Sequence, residues 1–281
     1  MAGAARVLAR TPITFETADG EHQHAPLIVA AVGGVTTRLV LDTGSEVHLL
    51  TKELVDRIGL ALKEGEEGTD HGGETIPSWT VEDVALDLGD MTVTLGDVVA
   101  IPAPPPFPGW GIGGILSPQH LHPRAYAVVD LVAHELVLVD GDDAALAAWL
   151  SARAPDLSLL GLERDDDFSS VVVRGSIRPH AEIPTMLNTG GRHTEFSSGT
   201  VPGVAGAGTE RLGGGVSGAD VTATLAGEAV LAVAGHERKV PSLAVRASMH
   251  DPQGLVGMDV LRGTILAACA DRGRPVFWLV P

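Results

Sequence analysis

The apolar run LVLDTGSEVHLL, residues 39–50, is interrupted by a carboxylate, a hydroxyl and a glycine at Asp42, Thr43 and Gly44. A carboxylate in such surroundings can act as a general acid or base. It needs hydrogen-bond donors, because burying a charge without them costs several kcal/mol. Gly44 permits a sharp backbone turn, and we expect the Ser45 hydroxyl to donate to Asp42. A plain β-turn that happens to have this sequence is the alternative interpretation.

A second apolar strand ends in a related turn, MLNTGG at residues 186–191. Both turns are followed by a glycine-rich stretch, predicted strands and a glycine-containing apolar segment, GGIL at 113–116 in one case and GLVGMDVL at 254–261 in the other. Two cycles of similar length predict two homologous β lobes.

The composition agrees with a strand-and-turn protein, since the 281 residues include 35 Gly and 18 Pro. Helical spacing predicts a short helix within 51–60, and composition predicts another at 142–153. A polar, acidic linker is predicted to follow. We therefore expect an N-terminal lobe at 1–153 and a C-terminal lobe at 154–281.

Charge and hydropathy narrow the choice of partners and compartment. The net charge of −17 argues against a nucleic-acid partner, because no basic stripe is available to neutralise phosphates. No apolar stretch reaches the length of a signal peptide core or a membrane span, so we expect no membrane partner and a cytoplasmic location. The single cysteine, Cys269, is expected to be a buried apolar residue in a reducing compartment.

Taken together, LVLDTGS, GGIL and GLVGMDVL resemble the aspartic peptidases, specifically the retropepsin-like and pepsin-like group. The resemblance covers roughly residues 26–140 and 170–281. It implies an all-β, two-lobed pepsin-like fold with pseudo-twofold symmetry and a few short helices. It also implies that each lobe brings one Asp-Thr/Ser-Gly turn to the floor of a cleft between the lobes.

The resemblance implies a pair of aspartates that share a proton, one activating water and the other protonating the peptide carbonyl. Here Asn188 stands where the second aspartate is expected, Gly191 replaces a hydroxyl residue and Ser117 replaces a glycine. Asn188 can form hydrogen bonds but cannot relay a proton at neutral pH. The implied site consists of Asp42, Thr43, Gly44, Ser45, Asn188, Thr189 and Gly190, with Thr43 and Thr189 bracing the two turns.

The resemblance also implies a hairpin flap over the cleft, where an extended peptide binds through its main chain. We assign the flap to the segment from His71 to Pro77, with Gly72, Gly73, Glu74, Thr75 and the nearby Trp79 as substrate-binding residues. A surface hairpin with no role in binding is the alternative.

Three functions follow from these predictions. The first is a pseudoprotease that holds a peptide or protein segment without cutting it and presents it to a peptide-modifying enzyme. The second is an active aspartic endopeptidase, in which Asn188 is tolerated or engineered. The third is an oligomerisation module that uses exposed strand edges. No cofactor or metal is implied, and the pairs His22/His24 and His120/His122 are predicted to be ordinary surface histidines.

Overall fold

Alternating apolar residues place nearly half of the chain in β-strands. The computed structural model describes residues 4–65, 67–70, 73–204, 208–214 and 216–281. The strands of the first half are β1 (Arg6–Glu16), β2 (His22–Val32), β3 (Val35–Leu41), β4 (His48–Thr51), β5 (Lys63–Glu64), β6 (Gly68–Thr69), β7 (Thr75–Ile76), β8 (Trp79–Val81), β9 (Val84–Asp87), β10 (Thr92–Leu95), β11 (Val98–Ile101), β12 (Ile112–Leu116), β13 (Tyr126–Asp130) and β14 (Glu135–Asp140).

The second half continues with strands and contains little helix. Its strands are β15 (Ser158–Leu162), β16 (Val172–Ile177), β17 (Ile183–Leu187), β18 (Glu195–Ser197), β19 (Thr209–Gly214), β20 (Asp220–Leu225), β21 (Ala229–Val233), β22 (His236–Val240), β23 (Ala244–Arg246), β24 (Gly254–Val256), β25 (Ile265–Ala268) and β26 (Val276–Val280). The α-helices of the described residues are α1 (Lys52–Ile58), α2 (Phe107–Trp110), α3 (Asp143–Arg153) and α4 (Met258–Leu261), with a 3₁₀ turn at Pro118–His120.

The two halves repeat one strand arrangement around their turns. In the first half, β12 lies between β3 and β4, parallel to β3 and antiparallel to β4. In the second, β24 lies between β17 and β18 with the same two directions. The next strand is again parallel in both halves, β11 beside β4 and β23 beside β18. The predicted all-β class with two related lobes is confirmed.

A sheet shared by both halves joins the lobes. Its strand order is β15-β26-β25-β13-β14-β1, and β1 continues into the first lobe through β2. The predicted hairpin of β13 and β14 is confirmed. Strand β15 forms where a polar linker was predicted, because all five of its residues pair with β26. Helix α3 covers this sheet, burying Leu146 and Leu150 against it.

The two helices predicted from sequence, α1 and α3, are both present, and α1 ends at the predicted Gly59. The Thr51 side chain accepts a hydrogen bond from the backbone N–H of Leu54 at the start of α1, and Gly59 ends the helix with a φ of 74°. Asp142 caps α3 in the same way as Thr51 caps α1. Cys269 is buried, as predicted. Within the described residues, no helix has the length and apolar character needed to cross a membrane.

Candidate functional site

The two turns begin at equivalent places in their lobes. Asp42 directly follows β3, and Asn188 directly follows β17. The backbone N–H of Asp42 donates to the Leu116 carbonyl, and that of Asn188 donates to the Val256 carbonyl, each at 2.9 Å. Both side chains are half-buried. Strands β12 and β24 each lie between two other strands, and the last residue of each fixes the backbone of Asp42 or Asn188 by this hydrogen bond.

Two glycines allow these side chains to approach the opposite turn. A Cβ atom on Gly190 would overlap the carboxylate of Asp42, and one on Gly44 would lie 2.7 Å from the Asn188 amide. Each polar side chain therefore packs against the glycine of the other lobe, and only glycine provides the required space. The structure brings Asp42, Gly44, Asn188 and Gly190 together where the two turns meet.

Thr43 and Thr189 brace the two turns reciprocally. The Thr43 hydroxyl donates to the Leu187 carbonyl at 2.5 Å, and the Thr189 hydroxyl donates to the Leu41 carbonyl at 2.7 Å. Each hydroxyl also accepts the backbone N–H of the other threonine at 3.1 Å. Both threonines are buried. The predicted bracing is therefore present, and it crosses between the halves of the chain.

The amide of Asn188 is held in the same way as the carboxylate of Asp42. The backbone N–H of Gly44 donates to Asp42 Oδ1, and that of Gly190 donates to Asn188 Oδ1, each at 2.8 Å. Asn188 Oδ1 accepts a second hydrogen bond, from Gly191 at 3.0 Å. The prediction for Ser45 is wrong, since its hydroxyl donates to the Val47 carbonyl at 2.7 Å. A hydroxyl can donate only one hydrogen bond, and here the nearby Val47 carbonyl accepts it instead of Asp42.

A buried polar group supports the first turn from behind. The backbone N–H of Ser117 donates to His48 Nδ1 at 3.2 Å, and its hydroxyl donates to the Ser45 carbonyl at 2.7 Å. Gln119 donates to the same carbonyl at 3.0 Å. Burial lowers the pKa of His48 to about 4. The imidazole is therefore neutral near pH 7 and can accept the hydrogen bond from Ser117.

The second turn has a different support at matching positions. The backbone N–H of Gly257 donates to the Thr194 hydroxyl at 3.2 Å. Asp259 accepts both the Thr194 hydroxyl, at 2.7 Å, and the Thr194 backbone N–H, at 3.0 Å. Burial raises the pKa of Asp259. Thr194 and Asp259 thus correspond to His48 and Gln119 in the first lobe.

Two histidines that were predicted to be surface residues contact main-chain carbonyls, and one of these carbonyls belongs to the second turn. His24 Nε2 lies 3.1 Å from the Gly190 carbonyl, and His120 Nε2 lies 3.1 Å from the Ser169 carbonyl. Both are half-buried, and burial is the main cause of their lowered pKa values. The prediction that they are ordinary surface residues is wrong. Among the described residues, no group of three or more His, Cys, Asp or Glu side chains could hold a metal ion.

The predicted flap segment contains a short hairpin. Strand β7 pairs with β6, which places Thr75 opposite Thr69. Gly73 and Glu74 are exposed in the turn, and Gly73 has a φ of 87°. Trp79 instead lies in β8, opposite Ala100, and packs half-buried against the main core. His71 and Gly72 lie outside the described residues.

Sequence reasoning missed the residues behind the turns, namely His48, Ser117, Gln119, Thr194 and Asp259. A signal was available for two of them. His48 and Thr194 follow Asp42 and Asn188 at the same spacing. A residue-by-residue alignment of the two cycles pairs these positions from the amino-acid sequence alone.

Comparisons with known proteins agree with this geometry. Residues 28–117 match a family model described as aspartyl protease. The fold is similar to the crystal structure of an aspartic proteinase from Irpex lacteus, with a TM-score of 0.55 and 12% sequence identity, over 99% of this chain and 97% of that one. No curated protein matches the sequence. The structural likeness confirms the predicted two-lobed pepsin-like fold.

Proposed function

We propose that this chain, for which the two matches together support an aspartic peptidase family, holds an extended peptide between its lobes with little or no hydrolysis. The observation that carries the proposal is Asn188 in the position facing Asp42. Its Oδ1 accepts two backbone N–H groups. The amide thereby reproduces the position of a carboxylate without its ability to carry a proton.

We expect slow hydrolysis or none, because the proposed site has one carboxylate where the reaction uses two. Peptide hydrolysis by paired carboxylates needs one group to take a proton from water and another to donate one to the carbonyl. With Asp42 alone, the second of these steps has no acid at the expected place. A missing acid/base partner lowers the rate by about 10² to 10⁴. Peptide binding through main-chain hydrogen bonds does not depend on that proton.

The proposal also includes what happens to the bound peptide. A chain that binds an extended segment without cutting it can present that segment to a peptide-modifying enzyme. We infer peptide or protein segments as its partners and a cytoplasmic location.

The intact bracing favours a second candidate, an active aspartic endopeptidase. Thr43 and Thr189 keep the two turns in register even though one acid has been replaced. A scaffold that has kept this geometry needs few changes to support hydrolysis. The same experiment therefore separates the two candidates.

The experiment compares the unchanged chain with Asn188→Asp and with the double variant Asp42→Ala/Asn188→Asp. Each is mixed with a random-sequence octapeptide pool, and binding is measured by calorimetry and cleavage by mass spectrometry. We expect the unchanged chain to bind without cutting, Asn188→Asp to cut, and the double variant not to cut. Cleavage by the unchanged chain would establish the endopeptidase instead, provided that Asp42→Ala, made as a fourth chain for that case, does not cut.

A further inference from the structure

A hairpin of the second lobe reaches across to the first lobe. Strands β19 and β20 pair as an antiparallel hairpin, and residues 216–219 lie at its tip. Val216 packs against an apolar cluster of the first lobe. We call this the first-lobe apolar cluster; its members are Ala25, Leu27, Val40, Ile112 and Ile115, with Leu49, Phe107 and Trp110 partly buried around them.

This cluster lies on the same face of the sheet as Asp42. Side chains of a strand alternate between its two faces, so Val40 points to the same side as Asp42, two residues later. Leu39 and Leu41 point to the other side and belong to the main core. Val216 therefore covers apolar surface beside the polar floor of the cleft. A Cβ on Gly218 would lie 3.3 Å from Pro105, so the tip also contacts the proline-rich loop.

A buried aspartate ties the tip to the β6–β7 hairpin. Asp70 is 7% exposed. Its Oδ2 accepts the Ser217 hydroxyl at 2.6 Å and the Ser217 backbone N–H at 3.1 Å. Its Oδ1 accepts the backbone N–H of Glu74 at 3.0 Å. One carboxylate thus joins a hairpin of each lobe.

A second contact joins the same hairpin to the second lobe. A Cβ on Gly73 would lie 2.8 Å from His250 Nε2. The β6–β7 hairpin therefore touches the second lobe at both Ser217 and His250. Residues of two lobes that would line an open cleft are in direct contact.

We propose that Asp70 and Ser217 form a clasp that closes the cleft, with Val216 covering the apolar surface beside Asp42. The clasp is an autoinhibitory contact: an extended peptide reaches the floor only after the β19–β20 tip leaves the first-lobe apolar cluster. This gating of peptide entry rests on the proposed function. Closure itself is a property of the chain alone and can be measured without a peptide.

The expected size of the effect follows from the hydrogen bond. A hydrogen bond to a charged group stabilises the closed state enough for its loss to raise the open population about tenfold or more. The apparent affinity for a peptide that binds only the open state rises by the same factor, as long as that state remains a minor one.

The test uses Ser217→Ala, with Val216→Ser as a second variant that keeps the hydroxyl at residue 217. Ser198→Ala is the matched control, because Ser198 is also exposed and its hydroxyl donates to Ala247 within the second lobe. Hydrogen exchange by mass spectrometry reports the amides of Gly73, Glu74 and Ser217 without any ligand. Calorimetry with a random-sequence octapeptide pool then reports binding.

We expect Ser217→Ala and Val216→Ser to accelerate exchange about tenfold in both hairpins and to tighten binding of the pool, with Ser198→Ala unchanged. Exchange that stays unchanged in the β6–β7 hairpin would overturn the clasp. Faster exchange with unchanged affinity for the pool would overturn its gating role. Faster exchange with no binding by any variant would support closure and overturn the proposed peptide holding.

Discussion

The turn after β3 and the turn after β17 face each other with similar geometry, but they are supported by different side chains. The same reciprocal threonine hydrogen bonds join the two turns. Each turn also lies beside a strand that pairs in parallel with the strand before the turn, β12 with β3 and β24 with β17. Behind the first turn, a neutral histidine and a serine make the contacts, whereas threonine and a carboxylate do so behind the second. The shared backbone path defines the fold, and the supporting side chains have diverged.

This comparison separates what the arrangement requires from what it tolerates. Gly114 and Gly254 both lie where a Cβ would collide with the neighbouring strand, so both lobes need glycine there. Ser117 and Gly257 occupy matching positions, yet only the first lobe has room for a side chain. The first turn uses that room for an additional hydrogen bond to the Ser45 carbonyl.

The largest effect should come from giving the second lobe the serine of the first. In Gly257→Ser, the new Cβ would lie 2.5 Å from the His193 carbonyl carbon and would overlap the carbonyl oxygen. Because backbone must move, we expect a loss of about 4 kcal/mol or more in the free energy of unfolding. Urea denaturation measures it. Gly199→Ala is the control, since its Cβ would meet only Ser197 Oγ, at 3.9 Å, and a comparable loss there would contradict the explanation.

The next effect should be equal in the two lobes. Thr43→Val and Thr189→Val each remove one hydroxyl that accepts a backbone N–H and donates to a carbonyl. Leaving these buried groups unpaired should cost about 3 kcal/mol in either variant. The double variant should lose less than the sum, because the two hydroxyl oxygens lie 3.4 Å apart and belong to one hydrogen-bond network. Denaturation of all three variants and of Thr43→Ser, which keeps the hydroxyl, tests this; unequal single losses would show that the bracing is not symmetric.

The third effect is a pH dependence that differs in sign between the lobes. His48 has a pKa near 6.5 when unfolded, and burial lowers it to about 4 in the folded protein. The unfolded chain therefore binds a proton as the pH falls from about 6.5 to about 4, and the folded chain does not. The free energy of unfolding should fall across this window by at most about 3 kcal/mol.

His48→Thr, which copies Thr194, should reduce this loss of stability on acidification, as measured by urea denaturation near pH 7 and near pH 4. Asp259 provides the opposite control. Burial raises its pKa, so its contribution to stability is present at low pH and is lost as the pH rises through the raised pKa. Asp259→Asn should therefore change the pH slope in the opposite direction from His48→Thr. Slopes that change in the same direction would contradict the assignment.

Many of the strands along the chain, α1, α3 and the positions of both turns could be predicted, because apolar periodicity, composition and glycine signals are local. Aligning the two cycles pairs His48 with Thr194, but the sequence does not show that these residues support the turns, because a buried His48 and a surface histidine look alike in a sequence. Strand β15 was not predicted, because it forms by pairing with the distant β26 and the polar residues around it are typical of a linker. The contact between Asp70 and Ser217 spans 147 residues and leaves no local pattern. Long-range pairing therefore decides which polar side chains support the site.

The smallest effect should come from the reverse exchange, Ser117→Gly. The backbone N–H of residue 117 can still donate to His48, and the Ser45 carbonyl keeps its hydrogen bond from Gln119. Only the hydroxyl contact is lost, at a cost of about 1 kcal/mol. Ser117→Ala is the control, because it removes the hydroxyl alone. Glycine also increases the conformational entropy of the unfolded chain. Equal losses measured by urea denaturation would assign the effect to the hydroxyl, whereas a much larger loss for glycine would show that the first lobe needs a side chain where the second excludes one.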